Sequence, residues 1–161
     1  MSGTTFRLLD YGDPGDATTL VALLDAYARD PAGGGEPLGD EARSRLAARL
    51  GATGGAFSIV GEADGRAVAL ANCFETLSTF AARPIVNVHD LVVVEGARGR
   101  GMGRALLGAI EAEARRRGAV KLTLEVLSGN APARAAYERF GFVEYRLGDG
   151  WGEALFREKR L

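Results

Sequence analysis

The chain has 161 residues, a length that suits one domain with one hydrophobic core. Apolar residues make up 47% of it and charged residues 25%, a composition typical of a soluble globular protein. The formal net charge is -1, so there is no basic surplus to drive binding to a nucleic-acid backbone.

Several other classes of protein are disfavoured by what the sequence lacks. Its start has no basic segment followed by an apolar run, so no signal peptide is predicted. There is no stretch of about 18 apolar residues to span a membrane, so we expect a cytoplasmic protein with no membrane partner. The single cysteine, Cys73, is predicted to lie in the core. With His89 as its only histidine, the chain has no three-histidine metal site, and we expect no metal. Abundant Ala, Gly and Arg favour a bacterial source.

The first half of the chain predicts a strand, two helices and three further strands. Apolar residues recur at helical spacing in two segments, and Asp64-Gly65 between two β-runs is typical of a hairpin turn. The segment 31–35 contains Pro and three glycines, which predicts a mobile loop. The predicted elements are a strand over 6–9, a helix to about residue 29 capped by Asp13 or Asp16, a helix from a capping Asp40 to 51, and strands over 56–62, 66–76 and 85–94.

The second half predicts alternating helices and strands. These are a helix over 103–117, a strand over 120–127, a helix over 131–140 that Asn130 caps, and two closing strands over 142–147 and 154–158. The fold class is therefore α/β (α+β). We expect a mixed central sheet of about six to seven strands, antiparallel in its N-terminal part and flanked by about four helices.

A glycine-rich segment, Arg98-Gly99-Arg100-Gly101-Met102-Gly103, lies between an apolar strand and a helix. Glycine lets the backbone approach a ligand closely, and the first amides of a helix have no acceptor within the helix. The positive end of the helix dipole lies at the same point, so a pyrophosphate fits there. Arg104 adds further positive charge. The segment also fits a simple connector with solvated arginines, and on its own it leaves that alternative open.

Two better-known phosphate motifs do not fit this segment. A Walker loop requires Gly-Lys followed by Ser or Thr, which is absent. A dinucleotide fingerprint requires G-x-G-x-x-G/A, but Leu106 occupies the last position. Antiparallel hairpin strands precede the segment, whereas the fingerprint opens a βαβ unit. Both motifs are excluded by spacing.

The spacing instead resembles that of the GNAT N-acetyltransferase superfamily. Arg98-x-x-Gly101-x-Gly103 is similar to its Q/R-x-x-G-x-G/A signature, and the downstream pattern also agrees: Leu124-Glu125-Val126, Asn130, Tyr137 and Gly141-Phe142. The resemblance is specific over residues 87–142. It implies one N-acetyltransferase domain over 1–161, a GNAT-like fold and an acetyl-CoA-dependent N-acetyltransferase that uses acetyl-CoA as co-substrate.

The resemblance also implies which residues hold the donor. The backbone of Val92, Val93 and Val94 is expected to bind the pantetheine amides. The family's strand splays from its neighbour, here 120–127, and the acetyl group and the acceptor amine are expected to meet in that gap. The pyrophosphate is expected to bind at Arg98, Gly99, Arg100, Gly101, Met102, Gly103 and Arg104. Asn130 is expected to contact coenzyme A as well as cap its helix, and Tyr137 is expected to lie at the sulfur.

The chemistry would be attack of an amine on a thioester. An alkylamine with a pKa near 10.4 is almost fully protonated at neutral pH, so a proton acceptor is useful. Glu125 is the first candidate by resemblance; Asp90, His89 or a water chain are alternatives. Tyr137 is expected to donate a hydrogen bond to the leaving thiolate, and a strand amide near Val92 to the oxyanion.

The resemblance also implies where the acceptor binds. The resemblance places it between the loop at 33–37 and the hairpin at 149–151, where Trp151 is expected to cover the acceptor or to fill a dimer contact. Acidic residues that would attract a cationic amine are Glu36, Asp40, Glu75 and Asp149. We expect an acceptor amine on a small molecule, amino acid or peptide, no nucleic-acid partner, and leave a homodimer open. The alternative is a GNAT-like module that binds acyl-CoA with little or no transfer.

Overall fold

The structure is a computed structural model that describes residues 3–146, 148, 150, 152 and 154–160. The chain forms two compact units, Met1–Leu124 and Glu125–Leu161. None of the described helices has both the length and the apolar character needed to cross a membrane.

The first unit contains the sheet and three helices. Its elements are β1 (Thr4–Leu8), α1 (Pro14–Ala28), a 3₁₀ turn (Pro31–Gly33), α2 (Asp40–Ala52), β2 (Ala56–Ala63), β3 (Arg66–Ser78), β4 (Arg83–Val93), a 3₁₀ turn (Glu95–Ala97), α3 (Met102–Arg116) and β5 (Leu122–Leu124). The strands follow the order β1-β2-β3-β4-β5, with β4 and β5 parallel and the other pairs antiparallel. The predicted α/β class and the antiparallel N-terminal part of the sheet are confirmed.

Local signals explain where several elements begin and end. The side chain of Asp13 accepts a hydrogen bond from the Asp16 amide (2.8 Å), and Pro14 opens α1 where its missing N–H is not needed. Asp64 and Gly65 both have positive φ, 50° and 72°, as the tight turn of a two-residue hairpin requires. The predicted start of α1 and the predicted hairpin are therefore confirmed.

Helices cover both faces of the sheet. On one face an apolar cluster joins α1 and α2 to the strands: Leu9, Leu20, Leu23, Leu50, Val60, Leu70 and Val92. On the other face α3 packs against β2, β3 and β4 through the fully buried side chains of Leu106, Leu107 and Ile110. β4 therefore lies between two helical layers.

Two predictions about the region between α1 and α2 need correction. The predicted loop at 31–35 begins with a 3₁₀ turn, because the Asp30 side chain accepts from the Ala32 amide (2.9 Å). Asp40 was expected to cap α2, but it is the first helical residue, and Gly39 occupies the cap position. An acidic side chain in the first turn is still favourable to the helix dipole.

The C-terminal strands also differ from the prediction. The strand expected over 120–127 is formed only at Leu122–Leu124. In the described part of 142–147 and 154–158 no strand forms; Arg146 makes an isolated bridge, and the Ala154 amide lies 3.4 Å from the Tyr145 carbonyl oxygen. Val143, Tyr145, Leu155 and Phe156 are exposed and Phe142 is only half-buried, so these described residues offer no fully buried face to stabilise a strand. The sheet of the described residues thus has five strands, not six to seven.

The second unit contains α4 (Ala131–Phe140). Its cap is Asn130, whose side-chain oxygen accepts from the Ala133 amide (3.3 Å), and Gly141 ends it with a positive φ of 113°. The predicted bounds and cap of this helix are confirmed.

An ion pair between the half-exposed Arg7 and the buried Asp16 fixes the start of α1 against β1. The carboxylate of Asp16 accepts two hydrogen bonds from the Arg7 guanidinium (2.9 and 2.8 Å) and one from the Asp10 amide (2.8 Å). The hydrogen bonds from Arg7 are the main reason that the pKa of Asp16 lies below its ordinary value. Arg7 also bonds Glu62 at 3.2 Å, on its more exposed side.

We expect Asp16→Asn to lower the free energy of unfolding by about 1.5 kcal/mol, because it removes a hydrogen-bonded charge from a buried position. Glu62→Gln, which removes the more exposed partner of Arg7, should cost well under half of that. The depressed pKa means that the stabilisation is present above the ordinary carboxyl pKa and is lost as the pH falls through the folded value. Urea unfolding at pH 7 and at pH 3 checks this; an equal deficit at both pH values would contradict it.

Candidate functional site

The turn from β4 to α3 is shaped by two glycines in the left-handed region. Gly99 has φ 74° and Gly101, the residue before α3, has φ 81°. Side chains rarely adopt this backbone, so the turn requires glycine at both positions. The first turn of α3 has no side-chain cap and no acidic residue, and its hydrogen-bond ladder begins with the Ala105 amide donating to the Gly101 carbonyl. The amides before Ala105 thus have no acceptor within the helix, which is the arrangement found at helix N-termini that bind anions.

The outer side of this turn is open and its inner side is packed. No described atom lies within 4 Å of the position that a Cβ of Gly99 or Gly101 would take. A Cβ on Gly103 would instead lie 3.8 Å from Cγ2 of Val93, where α3 packs onto the end of β4. The described protein atoms therefore leave the outer side of the turn uncovered at Gly99 and Gly101.

The arginines of the turn have different surroundings. Arg98 is half exposed (51%), and its guanidinium donates to the Val93 carbonyl oxygen and to the Asp30 carboxylate, each at 2.8 Å. The Ala32 amide and Arg98 together hold the pKa of Asp30 below its ordinary value. Arg100 and Arg104 are exposed and have no partner among the residues that the structure describes. Arg98 thus ties the turn to the segment after α1, and the other two leave positive charge available for a ligand.

Next to this turn, β4 pairs with no strand of the first unit on the edge away from β3. Pairing between β4 and β5 ends at Val88 and Leu124. The Val94 amide donates to the Val68 carbonyl on β3 (3.0 Å). Because successive residues of a strand direct their backbone groups to opposite edges, Val92 also faces β3, whereas Val93 faces the edge away from β3. The Val92 amide therefore faces β3, which does not suit an oxyanion donor at this edge. At Val93 the carbonyl already accepts from Arg98, so the amide is the backbone group that remains for a ligand.

The sequence model of the Acetyltransferase (GNAT) family matches residues 17–142. The chain belongs to this family. The match includes both the β4–α3 turn and α4, so the GNAT sequence pattern crosses the boundary between the two compact units.

Relatives and solved structures agree with this assignment. Streptothricin acetyltransferase of Streptomyces lavendulae is 34% identical over 143 residues, which cover 89% of this chain and 66% of that relative. The chain thus spans slightly less than two thirds of that relative's length. A ribosomal-protein-alanine N-acetyltransferase from Brucella melitensis biovar Abortus 2308 superposes with a TM-score of 0.70 at 20% identity, covering 97% of this chain and all of that one. The aminoglycoside N-acetyltransferase AAC(6')-Iy in complex with CoA gives a TM-score of 0.75 at 18% identity, covering 100% and 97%. The predicted GNAT-like fold is confirmed.

Three predicted site residues of the GNAT pattern belong to the second unit. Tyr137 is half-buried on α4, and its ring meets that of Phe142 edge to face at 5.9 Å between centroids. Asn130 caps α4, and Glu125 is exposed at the start of the unit. These residues are present at the predicted positions, and their roles remain predictions.

The alternative reactive groups have distinct surroundings. Cys73 is buried, and burial raises the pKa of its thiol to about 12, so it suits the core and not a nucleophile. The prediction that it is a core residue is confirmed. His89 is exposed and meets the Phe74 ring edge to face at 5.3 Å. The described residues contain no group of three or more His, Cys, Asp or Glu arranged to hold a metal ion.

The predicted acidic acceptor residues are only partly available. Glu36 and Asp40 are exposed, while Glu75 pairs with Arg117 at 3.3 Å. Asp149 and Trp151 lie outside the described residues. Sequence reasoning also missed Ser58 and Asn72, which are buried and connect to Asp90 across the sheet. Two small polar residues within apolar strands were a signal, but their contact becomes evident only once the strand register is known.

Proposed function

We propose that this GNAT family member is an acetyl-CoA-dependent N-acetyltransferase. The observation that carries the proposal is the Arg98–Gly103 turn, with its free helix amides, its open outer side and, beside it, the edge of β4 that pairs with no strand of the first unit. We expect the acceptor to be a primary amine of a small molecule, amino acid or peptide. Relatives that are named for streptothricin and for aminoglycosides support a small molecule.

Different residues at the turn would bind different parts of acetyl-CoA. Amides at the start of α3 would bind the pyrophosphate, with Arg100 and Arg104 supplying charge. The Val93 amide, on the edge away from β3, would donate to a pantetheine carbonyl, while the Val93 carbonyl is held by Arg98. The remaining predicted donor residues are Val92, Val94, Arg98, Gly99, Gly101, Met102, Gly103, Asn130 and Tyr137. When bound, acetyl-CoA supplies the thioester carbonyl that the amine attacks.

Two residues would move protons during the reaction. Glu125 would accept the proton that the ammonium loses, directly or through water, so that the neutral amine attacks in a ternary complex. Tyr137 would donate a hydrogen bond to the sulfur as the C–S bond breaks. The ammonium loses two protons in all: one passes to Glu125 and then to solvent, and the other is released as the C–N bond forms and protonates the CoA thiolate. The products are an acetylated amine, free CoA thiol and one proton.

Glu125→Gln should remove the acidic limb of the pH–rate profile, because an amide cannot accept the proton at any pH. The expected loss in kcat/KM at neutral pH is about 100-fold. Glu138→Gln is the matched control, since Glu138 is an exposed glutamate of the same unit. Profiles of kcat/KM from pH 6 to 9 test this; an unchanged profile for Glu125→Gln would eliminate it as the base.

The family match across the unit boundary supports one N-acetyltransferase domain over residues 1–161. We also propose a cytoplasmic bacterial protein; a homodimer remains a prediction from Trp151 alone.

The test is release of CoA thiol from acetyl-CoA with a panel of amines, alongside a melting curve with CoA. Acceptor-dependent release supports the enzyme. A higher melting temperature with CoA but no release above hydrolysis with any amine would support the alternative, an acyl-CoA-binding module. No shift in melting temperature with saturating CoA or acetyl-CoA would contradict both.

A further inference from the structure

A row of polar side chains crosses the sheet of the first unit beneath α1 and α2. Ser58 on β2 pairs with Asn72 on β3, and Asn72 pairs with Asp90 on β4. Directly opposite residues share a face of the sheet, so the three side chains lie in one line. Ser58 Oγ lies 2.6 Å from Asn72 Oδ1, and Asn72 Nδ2 lies 2.9 Å from Asp90 Oδ2. Tyr11 extends the row, with its hydroxyl 2.8 Å from Ser58 Oγ.

The row has a defined direction. Ser58 donates its hydrogen to Asn72, so its oxygen accepts from the Tyr11 hydroxyl. The amide of Asn72 then presents its NH₂ group to Asp90, because the reverse orientation would place its oxygen against a carboxylate. Each hydrogen bond is therefore directed toward Asp90, and the last one is charge-assisted.

Burying these polar side chains in an apolar core costs free energy of folding. Ser58 is 0% and Asn72 is 2% exposed, and the same face of the sheet carries the apolar side chains of Val60, Leu70 and Val92. Buried polar groups of this kind weaken a core unless every member is satisfied, and three apolar residues would fill the same space. The row is fully satisfied and ends on a carboxylate that is only partly buried. The hydrogen-bonded row is therefore arranged to hold the Asp90 carboxylate in place.

Asp90 lies at a distinctive point of the sheet. The β3–β4 register shifts beside it, leaving His89 outside the ladder, and pairing with β5 ends two residues earlier at Val88. Its Oδ1 makes no hydrogen bond with any described residue. Its charge acts on Tyr27 at the end of α1, whose phenol pKa is raised by burial first and then by Asp90 and Asp30. Asp30 is already paired with Arg98, so Asp90 has the available carboxylate oxygen at this end of α1.

We propose that Asp90 binds the ammonium group of the acceptor and that Asn72 is the positioning residue that holds its carboxylate. The inference rests on the proposed N-acetyltransferase function and narrows its acceptor to amines that are cationic when they bind. Asn72 occupies Oδ2 and fixes the rotation of the carboxylate, so that Oδ1 remains for the ligand. An acceptor without positive charge would gain little from this site.

The test compares two acceptors of similar shape, tyramine, which is cationic at the assay pH, and p-anisidine, which is uncharged. Asp90→Asn is expected to lower kcat/KM for tyramine about 10- to 100-fold, mainly through KM, the range for one hydrogen bond to a charged group. The value for p-anisidine and the affinity for acetyl-CoA should change less than about threefold. Asp64→Asn, in the exposed β2–β3 turn, is the matched control and should alter neither acceptor.

Two further variants test whether Asn72 and Ser58 position the Asp90 carboxylate. Asn72→Leu should reduce the ratio of tyramine to p-anisidine activity in the same direction as Asp90→Asn. Ser58→Ala keeps the hydrogen bond between Asn72 and Asp90, so it should reduce the ratio of tyramine to p-anisidine activity by only about twofold to fivefold. It is the milder variant to use if Asn72→Leu does not fold. Equal loss of both acceptors in an active Asp90→Asn enzyme, or no loss, would overturn this inference alone. A parent protein that releases thiol with neither these amines nor the wider panel would overturn the proposed function itself.

Discussion

Gly101→Ala is expected to weaken acetyl-CoA binding about 10- to 100-fold, the effect of misdirecting one hydrogen bond to a charged phosphate. Gly101 has φ 81°, and its position before α3 sets the direction of the first helix amides. A Cβ there would meet no described protein atom, but it would extend into the space on the outer side of the turn. The backbone strain itself should cost about 1–2 kcal/mol of stability. Isothermal titration with acetyl-CoA measures the binding, and urea unfolding measures the stability.

The same helix provides a matched control at its other end. Gly118, just past α3, has φ 76°, and no described atom lies within 4 Å of its Cβ position. Gly118→Ala should therefore cost a similar amount of stability and leave acetyl-CoA affinity unchanged. Equal loss of affinity in the two variants would show that Gly101 acts through the stability of α3, and would contradict a phosphate site at this turn.

Tyr137→Phe is expected to lower kcat about 100-fold while changing the affinity for acetyl-CoA by less than about twofold. The phenol is a weaker acid than a thiol, with pKa values near 10 and 8.5, so full proton transfer to the thiolate is uphill by about 2 kcal/mol. Tyr137 should therefore act first as a hydrogen-bond donor to the sulfur, a contact that strengthens as charge develops there. Phe keeps the edge-to-face contact with Phe142 and removes only the hydroxyl.

Single-turnover rates and equilibrium titration of the same variant distinguish a catalytic from a structural tyrosine. Tyr145→Phe, at a largely exposed tyrosine of the same unit, is the control and should leave both quantities near the parent's. If Tyr137→Phe lost turnover and acetyl-CoA affinity in proportion, the hydroxyl would be holding the site in shape, and its role at the sulfur would be rejected.

Local chemistry made much of the fold predictable. Asp13 and Asn130 cap helices within three residues of themselves, and Asp64-Gly65 forms a two-residue turn, so neighbours in sequence determine each of these features. The closing strands were predicted on either side of the glycine-rich segment 148–152. Because a strand is stabilised where one of its faces is buried, the exposed Val143 and Phe156 explain why no strand forms there in the described residues.

In the candidate site, too, the features set by neighbouring residues were predictable and the long-range contacts were not. The glycines of the 98–103 turn are contiguous, and their need for positive φ can be read from spacing. The partner of Arg98 lies 68 residues earlier in the chain, at Asp30, and no local pattern predicts that pair. Asn72 and Asp90 meet only after a register shift between β3 and β4, which sequence alternation does not reveal.

The most direct test of the central claim is to incubate the protein with acetyl-CoA and a panel of primary amines, and to measure free CoA thiol and acetylated amine in the same reaction. We predict release of thiol that depends on the amine, with one acetylated amine formed for each thiol. Thiol release that no amine increases above the hydrolysis rate, in protein shown by titration to bind acetyl-CoA, would contradict an N-acetyltransferase.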